Sequence, residues 1–375
     1  MTSTPDLFDG DAGTAFEPTL AAARARIAAV RPGDYARTRN HLDGAVTRLS
    51  PYITHGFVSL PGVLSAVRQH HSVHGESKFL YELGWREFFH HVWRHAGDGM
   101  FASLHAGPLP DDAYLPALPE DIRRGATGVP VVDQAVRQLY ATGWLHNHAR
   151  MWLASYVVHL RKVHWRAGAD WLYGHLLDGD LASNHLSWQW VAGTGSHKPY
   201  LFNAENVARH APAPWHSPGT VLDTSYEALD ALARSATPVP GGGGTPVDEP
   251  PLLHTPPPGL KLAPQGSLDH AWLAHPWALG EAPPGQRAVG VFVAAFHQRW
   301  AWSARRWQFV ATRMAALGTP AQWCDAPLPA SAGTRADPHL GTLLQPAAQS
   351  PVQRLFADPG RRLASFSQWW RAVNA

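Results

Sequence analysis

Residues 236–266 of this 375-residue chain read ATPVPGGGGTPVDEPPLLHTPPPGLKLAPQG, a proline- and glycine-rich run with no means of packing a core. It divides the chain into two parts with different patterns. On its amino side helical periodicity alternates with short Gly, Pro and Asp punctuation, and no convincing period-2 strand occurs. Helices are predicted over 17–30, 61–70, 78–96, 131–141, 146–163 and 169–177. On its carboxyl side Ala288–Phe296 (AVGVFVAAF) reads as a buried strand, Ser303–Leu317 as a helix and Ala321–Cys324 as a second short strand, which predicts one βαβ-like unit. The expected architecture is mainly α. It comprises a flexible leader (1–16), a helical domain (17–235), a linker (236–266) and a small C-terminal α/β region (267–375).

Composition removes several alternatives. Charged residues are 16% of the chain, below the usual ~25%, while 17 Trp and 23 His fill part of the gap. A chain so rich in aromatics is not disordered throughout. The single Cys324 excludes a disulfide framework, a CxxC pair and an all-Cys metal site. The acidic amino terminus lacks the basic and apolar stretches of a secretory signal, and no run nears the ~18 apolar residues needed to span a bilayer. A cytoplasmic protein without a membrane partner is expected. Lys and Arg number 31 against 29 Asp and Glu, so any nucleic-acid site must be a local patch of modest affinity.

Chemistry-bearing residues concentrate in VTRLSPYITHG (46–56), LYELGWREFFHH (80–91), TGVPVVDQAVRQLYATGWLHNHARMWLAS (127–155) and LLDGDLASNHLSWQWVAGTG (176–195). Thr47, Arg48 and Ser50 set two hydroxyls and a guanidinium in one short loop, which suits a diphosphate or, equally, a helix cap. Glu82, Trp85 and Arg86 fall at i, i+3 and i+4 and share one side of a helix. Asn147, Arg150 and Met151 repeat that spacing. The adjacent carboxylates of Asp178 and Asp180 lie on one loop, unlike a glycosidase pair, which comes from opposite sides of a cleft. His70, His71 and His74, and the i,i+4 pair His91/His95, have zinc-compatible spacing. Without HExxH, Cys partners or clustered carboxylates no metal site is expected.

Together the four segments resemble the helical FAD-binding domain of the photolyase/cryptochrome family, over about residues 35–206. The resemblance implies non-covalent FAD, held by Tyr35, Thr47, Arg48, Leu49, Ser50, Arg86, Asn147, Arg150, Asp178, Gly179, Asp180 and Asn184. Asp178 would bridge Arg150 and the flavin, Asp180 would accept from its pyrimidine-like edge, Asn184 would face N5, and Arg86 would lie by the phosphates. Glu82, Trp85, Met151 and Trp190 would line a substrate cavity. Trp188 and Trp165 match two members of an electron-transfer chain.

Departures matter as well. The outermost Trp of that chain has no counterpart: PDDAYLPAL offers Tyr114, with Trp152 or Trp93 as substitutes. His148 stands where dimer photolyases commonly have Arg. Because the helical pattern begins by residue 17, neither the family's usual N-terminal antenna domain nor a second, antenna chromophore is expected. VFVAAFHQRWAWSARRWQFVATRMAAL and FSQWWRAV faintly resemble fragments of it at the carboxyl end. Light-driven repair of cyclobutane pyrimidine dimers in DNA is the leading expectation. A cryptochrome-like photoreceptor with an unknown signalling partner comes second, and a degenerate flavin-fold scaffold third.

Overall fold

The computed structural model describes residues 16–318, 321–325 and 327–374. The leader expected over 1–16 lies outside the described residues apart from Phe16. The helical part runs α1 (Leu20–Ala28), α2 (Pro32–Thr38), α3 (Ser50–Thr54), α4 (Leu60–Arg68), α5 (Lys78–Ala96), α6 (Glu120–Arg123), α7 (Pro130–Thr142), α8 (Asn147–Ser155), α9 (Trp165–His175), α10 (Leu181–Ala192), α11 (Ala204–His210) and α12 (Tyr226–Arg234).

Local chemistry sets the important boundaries. The Asp180 side chain caps α10 by accepting from Ser183 N–H, and Gly193, at φ 81°, closes the helix in the left-handed conformation that glycine adopts most cheaply. Between these ends α10 is buried on nearly all sides, as befits a helix enclosed by α5, α8 and α9. On the nineteen-residue α5, positions 82, 85, 86, 89 and 90 form one stripe, and Phe79, Leu80, Phe88 and Val92 are buried. The predicted helix over 146–163 is shorter than expected. After Ser155 the chain forms a π-helical turn, Tyr156–Leu160, closed by Arg161 N–H donating to Tyr156 O.

The C-terminal part contains β1 (Leu253–His254), β2 (Trp272–Ala274), β3 (Ala288–Val293), α13 (Ala294–Arg299), β4 (Trp302–Ser303), α14 (Ala304–Ala316), β5 (Gln322–Cys324), β6 (Gly333–Arg335), β7 (Ala348–Ser350) and α15 (Phe366–Val373). The predicted βαβ unit is present: β3 and β5 pair in parallel, Phe292 opposite Trp323. It is part of a larger sheet, however, of five parallel strands in the order β5-β3-β2-β6-β7 among the described residues. The predicted strand also stops early, because the chain turns into α13 directly after Val293.

Two boundaries are softer than the sequence implies. No residue of 236–266 is buried, yet the run is pinned by the backbone. Val239 N–H donates to Leu160 O, Val247 N–H to Arg124 O, and β1 pairs antiparallel with β4. The α/β region also shares one core with the helices: Tyr52, Phe57, Phe88, Trp93 and Tyr173 cluster with Leu273, Phe292, Trp302 and Trp307. Among the described residues no helix is long and apolar enough to cross a membrane.

Candidate functional site

A cavity of about 620 Å³ opens between α2, the loop before α3, α5, α8 and α10. That size suits a cofactor or a drug-sized ligand. Its wall brings together Tyr35, Thr47, Arg48, Leu49, Ser50, Glu82, Trp85, Arg86, Asn147, Arg150, Met151, Asp178, Asp180, Asn184, Trp188 and Trp190. These residues come from segments up to 155 positions apart, and the fold places them around one space.

The bonds inside the wall leave specific atoms uncommitted. Arg150 Nη2 donates to Asp178 Oδ2 at 2.7 Å, while Asp178 Oδ1 and Ser183 Oγ are buried without a partner. An orphaned carboxylate oxygen is costly unless a ligand donor meets it. Asn184 spends its amide N–H on Ala169 O at 2.8 Å, which leaves its carbonyl oxygen, an acceptor, for the cavity. Trp144 Nε1 donates to Ser50 Oγ, and Arg48, at φ 50°, lays its guanidinium 5.3 Å from the Trp144 ring centre. An acceptor-lined end and a cationic, hydroxyl-bearing loop fit a flavin head and a diphosphate respectively.

Asp180 is the most constrained member. Arg86 Nη2 lies 3.1 Å and His90 Nε2 2.9 Å from its Oδ2, and Ser183 N–H reaches Oδ1 at 2.7 Å. Burial alone raises this carboxyl, but Arg86 and His90 outweigh it and hold it well below the ordinary value. Arg86, predicted to lie by the phosphates, is thus committed to Asp180. Glu82 turns away from Arg86 and meets Arg39 Nε at 3.3 Å. Burial raises the Glu82 carboxyl and Arg39 opposes that rise.

Two predicted residues stand behind the wall. Gly179 does not line the cavity; a Cβ there would sit 2.4 Å from Arg306 Nη1 and 2.6 Å from Tyr173 O, so glycine permits the close approach. Trp165 is buried behind α10, its Nε1 donating to Ser103 Oγ at 3.0 Å. From Trp165 an aromatic string continues outward, through His164 (5.6 Å between ring centres) to the partly exposed Tyr114 (6.3 Å). Trp152 is fully buried against Phe202, and Trp93, further along the same stripe of α5, packs beside His90 and His339 outside the cavity wall.

Several participants were not predicted. Arg39 and His90 join the wall's ion pairs; the carboxylates that they meet lie 43 and 90 positions away in sequence. Phe366 of α15 stacks on Trp85 at 4.1 Å and 9°, covering one face of that ring. Among the described residues His91, His95 and Asp358 group closely enough to hold a metal. Arg94 and Arg354 also meet the Asp358 carboxylate, both at Oδ2, and His91 Nε2 accepts from Leu363 N–H. His70, His71 and His74 form no such group among the described residues.

A family profile described as the FAD binding domain of DNA photolyase matches residues 79–213, which include Glu82 to Trp190 but not the 47–50 loop. The deoxyribodipyrimidine photo-lyase of Streptomyces griseus is 39% identical over 167 residues, covering 44% of this chain and 36% of that protein. That of a Synechococcus strain is 34% identical over 226 residues (54% and 45%). A cryptochrome DASH of Idiomarina loihiensis is 34% identical over 171 residues (44% and 38%). The chain thus matches less than half the length of each of these relatives. Over residues 79–213, therefore, the chain is similar to the FAD-binding domain of DNA photolyase.

Proposed function

We propose that the chain is a cytoplasmic DNA photolyase, a carbon–carbon lyase that splits cyclobutane pyrimidine dimers under near-ultraviolet or blue light. The observation that carries this reading is the shared cavity: apart from Gly179, the residues assigned to FAD and those assigned to the lesion line one space. FAD held by this wall would supply the light-driven, reversible one-electron chemistry that dimer opening needs.

The chain's own groups do the rest. Asp178 Oδ1 and the Asn184 carbonyl oxygen accept from flavin N–H or hydroxyl groups, and the 47–50 loop takes the diphosphate. Trp188 closes the space from below, its ring accommodated by Gly168, where a Cβ would lie 2.3 Å from it. A dimer extruded from the stack is held between indoles, Trp190 on one side and the uncovered face of Trp85 on the other. Glu82, with its carboxyl raised by burial, hydrogen-bonds the base edge. At the rim Arg39, His41, His148 and His210 gather, with His41 and His148 each within 6 Å of His210 between ring centres. Arg39 is already paired with Glu82, and burial pushes His148 down to about 4, so free charge at this rim is scarce and DNA binding of modest affinity is expected.

A second reading, a blue-light photoreceptor, draws on one observation: α15 stacks Phe366 on the ring that would grip the lesion. Binding of dimer-containing and undamaged oligonucleotides to FAD-loaded protein separates the two. Repair requires a preference for the dimer that Trp190→Ala diminishes. Equal binding of both oligonucleotides, or none at low salt, favours the photoreceptor.

A further inference from the structure

The Asp178–Gly179–Asp180 turn is gripped from behind by buried side chains of the C-terminal α/β region. Arg306 of α14, fully buried, donates to Gly179 O at 2.5 Å and to Tyr173 O at 3.0 Å. Its guanidinium lies 4.0 Å from the Trp302 ring centre, which fixes its plane. On the other side of the turn Leu181 N–H, in the first turn of α10, donates to His339 Nε2 at 3.1 Å. Since that nitrogen accepts, the proton sits on Nδ1, which faces Asp337 Oδ1 at 2.7 Å. Trp277 stacks on the imidazole at 4.5 Å and 11°. His339 Nε2 is 3.7 Å from Asp180 Oδ2, too far for a hydrogen bond, so the imidazole reaches the carboxylate through the backbone.

From this arrangement we propose that His339 and Arg306 are positioning residues for FAD binding: they fix the turn whose carboxylates face the cavity, making the C-terminal region part of the cofactor site. The argument rests on the reading that this turn holds FAD. The first four N–H groups of a helix have no partner inside it, so an outside acceptor at Leu181 decides where α10 begins and where its Asp180 cap points. Arg306 performs the complementary task on the Gly179 carbonyl, in the middle of the turn. Gly179 fits the same account, because any side chain there would push Arg306 away.

The test measures the FAD dissociation constant of the full chain by flavin fluorescence, for wild type, His339→Leu, His339→Gln, Arg306→Met, Asp180→Ala and Trp323→Ala. His339→Leu fills the space but leaves Leu181 N–H unpaired, and is expected to weaken FAD about ten- to hundredfold. His339→Gln, whose side-chain oxygen can accept that N–H, should recover to within about threefold of wild type. Trp323 packs on Phe292, His297 and Trp307 in the same α/β region and not on the turn itself, so Trp323→Ala should lower the melting temperature and leave FAD affinity within about threefold of wild type. Should His339→Leu not fold, Arg306→Met carries the comparison. FAD affinity unchanged in both His339→Leu and Arg306→Met, or reduced equally by Trp323→Ala, would overturn the inference. An Asp180→Ala variant with unaltered affinity would instead overturn the underlying reading of the turn.

Discussion

Asp180 is surrounded by donors before any cofactor arrives, and this fixes what each neighbouring group can still offer. Arg86, His90 and Ser183 N–H engage both of its oxygens, whereas Asp178 keeps one oxygen bare. Asp178→Asn should therefore weaken FAD by about 1–3 kcal/mol, since it converts a charged acceptor into a neutral amide. Fluorescence titration checks this, and a loss below a few tenths of a kcal/mol would place the flavin elsewhere. Trp190→Ala should cost about 1–3 kcal/mol of dimer affinity by removing one stacking wall. Glu82→Ala should lower repair yield more than affinity, a split that single-turnover yields compared with titrations will show. The short motifs made much of this legible: sixteen of the predicted residues share the cavity wall. What the sequence could not show was pairing across elements. Glu82 and Arg86 are helical neighbours, yet one meets Arg39 and the other Asp180, because tertiary charges lie closer than the adjacent turn does.

Helices were read from periodicity far better than strands. The prediction for α5 agrees at both ends, since an apolar stripe and Gly97 mark it, whereas β2, β6 and β7 went unseen. Each of those strands has only three residues, too few for a period to register, and the equally short β5 was read only as the partner that completes a βαβ-like unit with β3. The buried β3, six residues long, was visible. The proline-rich run has no fully buried residue, but Val239, Leu260 and Leu262 pack against the cores, and its backbone bonds to Leu160 and Arg124 carry no side-chain signature. The C-terminal α15 has the most specific consequence at this level. Its Phe366 is 4% exposed and joins Trp85, Tyr81 and Phe88 in one aromatic cluster. Phe366→Ala should destabilise this packing by about 3–5 kcal/mol and raise hydrogen exchange across α15. Exchange in α15 equal to that of wild type would show that the stack contributes little.

Across the chain, buried imidazoles tie stability to pH. Burial pushes His55 and His146 down to about 3, and His159 and His175 down to about 4. The unfolded chain protonates these groups near pH 6.5, while the folded one resists until far lower. The unfolded state therefore binds more protons below that pH, and stability must fall as pH drops from about 7 towards 5. Melting temperatures across that range should decline steadily, and a flat profile would mean that these rings are solvated. The shared core predicts in addition that helical and α/β parts melt together. All of this serves one claim, that a reduced flavin and a pyrimidine dimer meet in the cavity between α5 and α10. Chemical reduction of the FAD-loaded protein bypasses any gap in the aromatic string at Tyr114, so the decisive measurement is dimer loss from a thymine-dimer oligonucleotide under near-ultraviolet light. The account predicts restored thymines in the light and none in the dark; intact dimers after illumination of fully reduced, FAD-saturated protein would contradict it.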